Sequence, residues 1–152
     1  MKSGLVAAFI TVALSCCAQK MATTFKKAID QGVSLQKLDS IYRPALSSDS
    51  LHVFIGKEKE FFEGYTHLLK DLGGYLKKNN FNWSKNTRCF NRIYLNKEGQ
   101  IDYFLFNFKP GEISTDKEVQ FEKLLGVFIQ TYQFPLKANS KFAQCSPVVY
   151  SD

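Results

Sequence analysis

The chain has 152 residues, 45% of them hydrophobic and 22% charged. That suits one globular domain, leaves too little chain for two ordinary ones, and excludes wholesale disorder. The formal charge of +6 is scattered, with Lys26-Lys27 and Lys77-Lys78 as the basic pairs, and a scattered excess argues against nucleic-acid binding, which wants a clustered basic face.

Met1-Lys2-Ser3 is a short basic start, Gly4 to Leu14 is uncharged and apolar, and Ser15-Cys16-Cys17-Ala18 supplies small residues. This order reads as a secretory signal over residues 1–18, followed by a single domain over 19–152. The apolar run is shorter than the roughly 20 residues a bilayer span needs. Two processing routes stay open. Ala13-Leu14-Ser15-Cys16 is similar to a bacterial lipobox, in which Cys16 is lipidated, and Cys16-Cys17-Ala18 suits an ordinary signal-peptidase cut. Both place the protein outside the cytoplasm, in the periplasm, lipid-anchored in the envelope or secreted, in an oxidising compartment.

Further along, Lys20 to Ile29 predicts a short helix. Ser34 caps a second one to about Tyr42, stopped by Arg43-Pro44. Leu51 to Ile55 reads as a short strand. Phe61, Phe62, Tyr65, Leu68, Leu69, Leu72 and Leu76 fall at helical spacing and predict a helix over 57–78. The period then changes. Arg88 to Leu95 and Ile101 to Phe108 read as strands joined by Asn96-Lys97-Glu98-Gly99, a hairpin loop with Gly where positive φ is needed. Thr115-Asp116-Lys117-Glu118 reads as a capping box opening a helix to about Tyr132, and Phe142 to Tyr150 is a last strand interrupted by Pro147. The expected fold is α+β: a small, mostly antiparallel sheet with a ββαβ core and helices packed on one face.

The run Arg92-Ile93-Tyr94-Leu95-Asn96-Lys97-Glu98-Gly99-Gln100-Ile101-Asp102 is a strand, a Gly turn and a strand, and the Glu118 to Tyr132 helix follows it. On these residues the segment from Arg88 to Tyr150 resembles the TonB C-terminal-like domain. The resemblance implies a periplasmic domain that grips short peptide segments of outer-membrane receptors and is not an enzyme. Export signal and compact domain together look like a small exported protein of a Bacteroidetes-type bacterium.

Cleavage after Ala18 leaves Cys89 and Cys145, an even pair near the first and last core strands, and a disulfide between them is expected; two buried thiols are the alternative. His67 has Glu63 and Asp71 four residues to either side, which reads as a solvated polar helix face rather than a metal site. His52 sits in an apolar run as a packed residue. Glu98 and Asp102 read as soluble turn residues. No phosphate loop or nucleophile elbow is present in the sequence, so neither catalytic residues nor a cofactor or metal are expected. The expected function is a non-enzymatic extracytoplasmic binding module that takes an extended envelope peptide by strand addition, with Phe142, Ala143, Gln144 and Cys145 as the edge. A structural envelope-assembly protein is the second reading, and a small hydrolase the third.

Overall fold

The hairpin at Asn96–Gly99 forms the middle of the sheet. In the computed structural model, which describes residues 20–48 and 51–152, strands β3 (Thr87–Leu95) and β4 (Ile101–Phe108) pair antiparallel from Cys89 opposite Phe108 to Leu95 opposite Ile101. Gly99 has φ +86°, and a Cβ there would come within 2.7 Å of the Phe134 carbonyl oxygen, so backbone conformation and close packing both demand glycine. Asn96 Oδ1 accepts from the amides of Glu98 and Gln100, each at 3.0 Å, and closes the turn. The expected signal segment over residues 1–18, with Cys16 and Cys17, lies outside the described residues.

The remaining elements are β1 (Met21–Thr24), α1 (Phe25–Asp30), α2 (Leu35–Ile41), β2 (Arg43–Pro44), α3 (Glu58–Lys78), α4 (Thr115–Thr131) and β5 (Phe142–Tyr150). They form an α+β fold whose sheet runs β1-β4-β3-β5-β2. The sheet is mixed rather than mostly antiparallel. The central pairings are antiparallel, whereas β1 on β4 and β2 on β5 are parallel.

Helices also cover both faces, not one. On one face α3 and α4 bury Phe61, Leu68, Leu72, Phe121 and Leu125 against Ile93, Phe104 and Phe106. On the other, Ala28, Leu38 and Tyr42 pack on Tyr94 and Leu105. A strand buried on both sides reads as a nearly continuous apolar run. The run from Tyr103 to Phe106 is such a strand, so its composition already carried the second layer.

Residues 21–24 are extended where a helix was expected. Thr23 and Thr24 are β-branched and favour a strand, and Thr24 then caps α1 by accepting from the Lys27 amide at 3.2 Å. Ser34 caps α2 as expected. The cap of α4 is Ser114, one residue ahead of the expected box. Leu51 to Ile55 is a loop, not a strand. Its apolar character comes from Phe54, which is buried and stacks on Phe61 with ring centroids 4.9 Å apart. Among the described residues no helix is long and apolar enough to cross a membrane.

Candidate functional site

β5 spans nine residues, but β2 pairs only with its first two, Arg43 opposite Phe142 and Pro44 opposite Ala143. The Arg43 amide donates to the Lys141 carbonyl at 3.0 Å and the Ala45 amide to the Ala143 carbonyl at 2.8 Å. Main-chain groups alternate in direction along a strand bordered by an antiparallel partner. Cys145, Pro147 and Val149 therefore turn theirs to the same outer side as Ala143. Among the described residues no main-chain hydrogen bond reaches that outer side beyond Ala143. The Gln144 side-chain amide donates to the Cys145 carbonyl at 3.3 Å. Pro147 offers a carbonyl but no N–H.

The expected edge over Phe142 to Cys145 is corrected accordingly. Phe142 is fully buried against Phe54, at 5.0 Å between ring centroids, and Ala143 is paired with β2. Gln144 faces its β3 partner Ile93. Of the four, Cys145 alone presents its main chain to the open side, and the opening continues to Val149. Arg43-Pro44 stops α2 as the sequence implies, yet also supplies two residues of strand, and that short pairing moves the open edge downstream.

The opposite edge is short and lies against a helix. Strand β1 is four residues long and α4 packs along it. Thr23 Oγ1 donates to Glu122 at 2.5 Å, and Lys20 Nζ donates to the Ile129 and Gln130 carbonyls at 3.0 and 2.9 Å.

The expected disulfide is also corrected. Cys89 lies opposite Val148, and Cys145 lies opposite Arg92. Three positions separate Val148 from Cys145 on one strand, so the two thiols project from opposite faces of the sheet. Both are free. Cys89 is buried beneath α4's face and its thiol is pushed up to about 12 by that burial, whereas Cys145 is exposed on the other face. Parity of cysteine count cannot see which face a residue occupies.

Around Cys145 the second face is well tied. Arg92 Nε donates to Cys145 Sγ at 3.4 Å and its guanidinium pairs with Asp39 at 3.2 Å. Tyr94 donates to Asp39 at 3.0 Å, and Tyr42 donates to Asp102 at 2.7 Å, with Lys141 3.4 Å from the same carboxylate oxygen. Burial, with the Asp39 and Asp102 carboxylates as their partners, raises both phenols well above the usual range. Asp102 is thus a buried clamp between α2 and the hairpin, not a soluble turn residue.

Farther along this face the helical cover ends. A groove of about 520 Å³ opens over the end of the sheet, lined by Arg88, Phe90, Asn107, Lys109, Pro147 and Val149. Phe90 is 39% exposed and Val149 60% exposed. Phe25, at the start of α1, meets Phe90 edge-on at 6.1 Å and marks the limit of the covered part. Sequence reading passed over this surface. The signal was present in Arg88, Phe90 and Arg92, which alternate with the buried Cys89, Asn91 and Ile93.

His52 lies 3.1 Å from Glu58, and His67 sits on α3, apart from either cysteine's strand. Among the described residues no group of three His, Cys, Asp or Glu side chains is placed to hold a metal ion. The outward main chain of β5 and the apolar groove lie side by side at this end of the sheet. No protein-family model matches the chain, and neither a curated protein nor a solved structure does.

Proposed function

We propose that the protein is a non-enzymatic, extracytoplasmic binding module that takes an extended segment of an envelope protein or peptide as an added strand on the outer side of β5. The observation that carries this reading is the end of the β2 pairing at Ala143, which leaves the main-chain groups of Cys145, Pro147 and Val149 turned outward. Added strands gain affinity from main-chain hydrogen bonds and specificity from alternate side chains. The adjoining groove along Tyr42, Pro44, Arg92 and Cys145, about 370 Å³, and the larger one at Phe90 and Val149 would receive those side chains. The extracytoplasmic address rests on the pattern of residues 1–18, and the order β3-β4-α4-β5 is the one that the TonB-like resemblance implies.

The test is a titration of isotope-labelled protein with a capped hexapeptide of alternating Val and Thr, followed by amide chemical shifts. The expected result is shifts centred on Cys145 to Val149, lost when alternate peptide nitrogens are methylated. Shifts confined to the His67 face of α3, or binding indifferent to methylation, would overturn the proposal.

A further inference from the structure

The groove at the far end of the second sheet face carries charge as well as apolar surface. Arg88 and Phe90 are two apart on β3 and share that face. Arg88 lies opposite Val149, and Phe90 opposite both Pro147 and Asn107. Lys109 follows β4 two residues after Asn107, on the same side and at the same end. Arg88 and Lys109 belong to no ion pair among the described residues, unlike Arg92, which Asp39 holds at 3.2 Å. The Glu112 carboxylate accepts from the Arg88 main-chain amide at 2.8 Å.

We infer that this groove selects an acidic, apolar extended peptide: an aliphatic or aromatic side chain settles against Phe90 and Val149, and a neighbouring carboxylate meets Arg88, with Lys109 adding to the field. The inference rests on the strand-addition reading and adds its specificity. Neighbouring strands lie about 4.8 Å apart. A strand added outside β5 thus has its backbone about 10 Å from that of β3, and a Glu side chain reaching inward across Val149 meets an Arg side chain reaching outward. Side chains two apart on the added strand fall on this same face, so apolar and acidic residues at alternate positions present both anchors together.

A second copy of the chain is the poorer occupant. The chain is net basic, and a symmetric contact through this face sets Arg88 and Lys109 against their own counterparts. A free small acid is poorer too, because Phe90 and Val149 are substantially exposed and the groove cannot enclose most of a small ligand, as small-molecule sites do.

The experiment compares two capped hexapeptides on the intact domain, one with Val, Glu and Phe at alternate positions and so on one face, the other with Lys in place of Glu. Amide shifts report the site, and the titrations report affinity. The Glu peptide is expected to bind at least about threefold more tightly at low salt, as an exposed ion pair allows, and the preference is expected to shrink as salt rises. Arg88→Glu is expected to reverse the preference while leaving the amide spectrum of the free protein otherwise folded. Equal binding of the two peptides at Cys145 to Val149 would overturn the acidic specificity while leaving strand addition intact. Binding of neither peptide would overturn strand addition, and the specificity with it. A concentration-dependent dimer in sedimentation, broken by Val149→Glu, would show that a second copy covers the face and would also overturn the inference.

Discussion

The Ala45 amide donates to the Ala143 carbonyl at 2.8 Å, and with that bond the outer pairing of β5 ends. The consequence is an alternation in protection along one strand. Gln144, Ser146 and Val148 direct their amides to β3, whereas Cys145 and Val149 direct theirs outward. Native-state hydrogen exchange is expected to show the Cys145 and Val149 amides exchanging about a hundredfold faster than those of Ser146 and Val148. Uniform protection from Gln144 to Val149 would mean that the edge is covered.

Cys89 and Cys145 should behave as unlike thiols. In the folded protein Cys145 is expected to react readily with a thiol reagent and Cys89 to resist, since Cys89 is buried and its thiol is pushed up to about 12. After unfolding without reductant, both should label. Mass spectrometry of the labelled chain decides it, and an unreactive pair after unfolding would reinstate a bridge that the register forbids.

Gly99 and Gly111 both have positive φ, +86° and +78°, but their surroundings differ. Alanine at Gly111 has open space and carries only the conformational cost, about 1–2 kcal/mol. Alanine at Gly99 adds a clash with the Phe134 carbonyl oxygen at 2.7 Å. Urea unfolding should therefore rank Gly99→Ala well below Gly111→Ala in stability. Equal losses would show that the hairpin shifts away from the Phe134 turn at no cost.

Alkaline pH should destabilise the fold. Burial raises the Cys89 thiol from its ordinary 9.0 to about 12, and burial with the nearby Asp71 carboxylate raises the Tyr132 phenol from 10.0 to about 12. Tyr42, Tyr65, Tyr94 and Tyr150 are raised as well. Each group holds its proton more tightly folded than unfolded, so its stabilising effect is complete below pH 9 and is lost as pH climbs toward 12. Melting temperature measured from pH 8 to 12 should be level at first and then fall steadily. A level profile to pH 12 would contradict these burials.

Much of the architecture was legible in local pattern. The Phe61 to Leu76 stripe, the Gly99 turn and the Ser34 cap each specify their element through neighbours a few residues away. What escaped depends on distant pairing. β1 becomes a strand through β4, and β2 is two residues long because β5 is there to receive them. The candidate edge was legible as a strand with a proline, but not its open stretch, because Ala45 and Ala143 are far apart in sequence. The apolar groove escaped for the same reason: Phe90 looks like any core aromatic until the extent of α1 and α2 is known.

The central claim is that an extended segment joins the outer side of β5, and intermolecular nuclear Overhauser contacts test it most directly. With the Glu-containing hexapeptide bound, the account predicts contacts from peptide main-chain protons to the Cys145 and Val149 amides, and from the peptide's apolar side chains to Val149 and Phe90. Contacts to α3 around His67, or to Met21–Thr24 on the opposite edge, would contradict it.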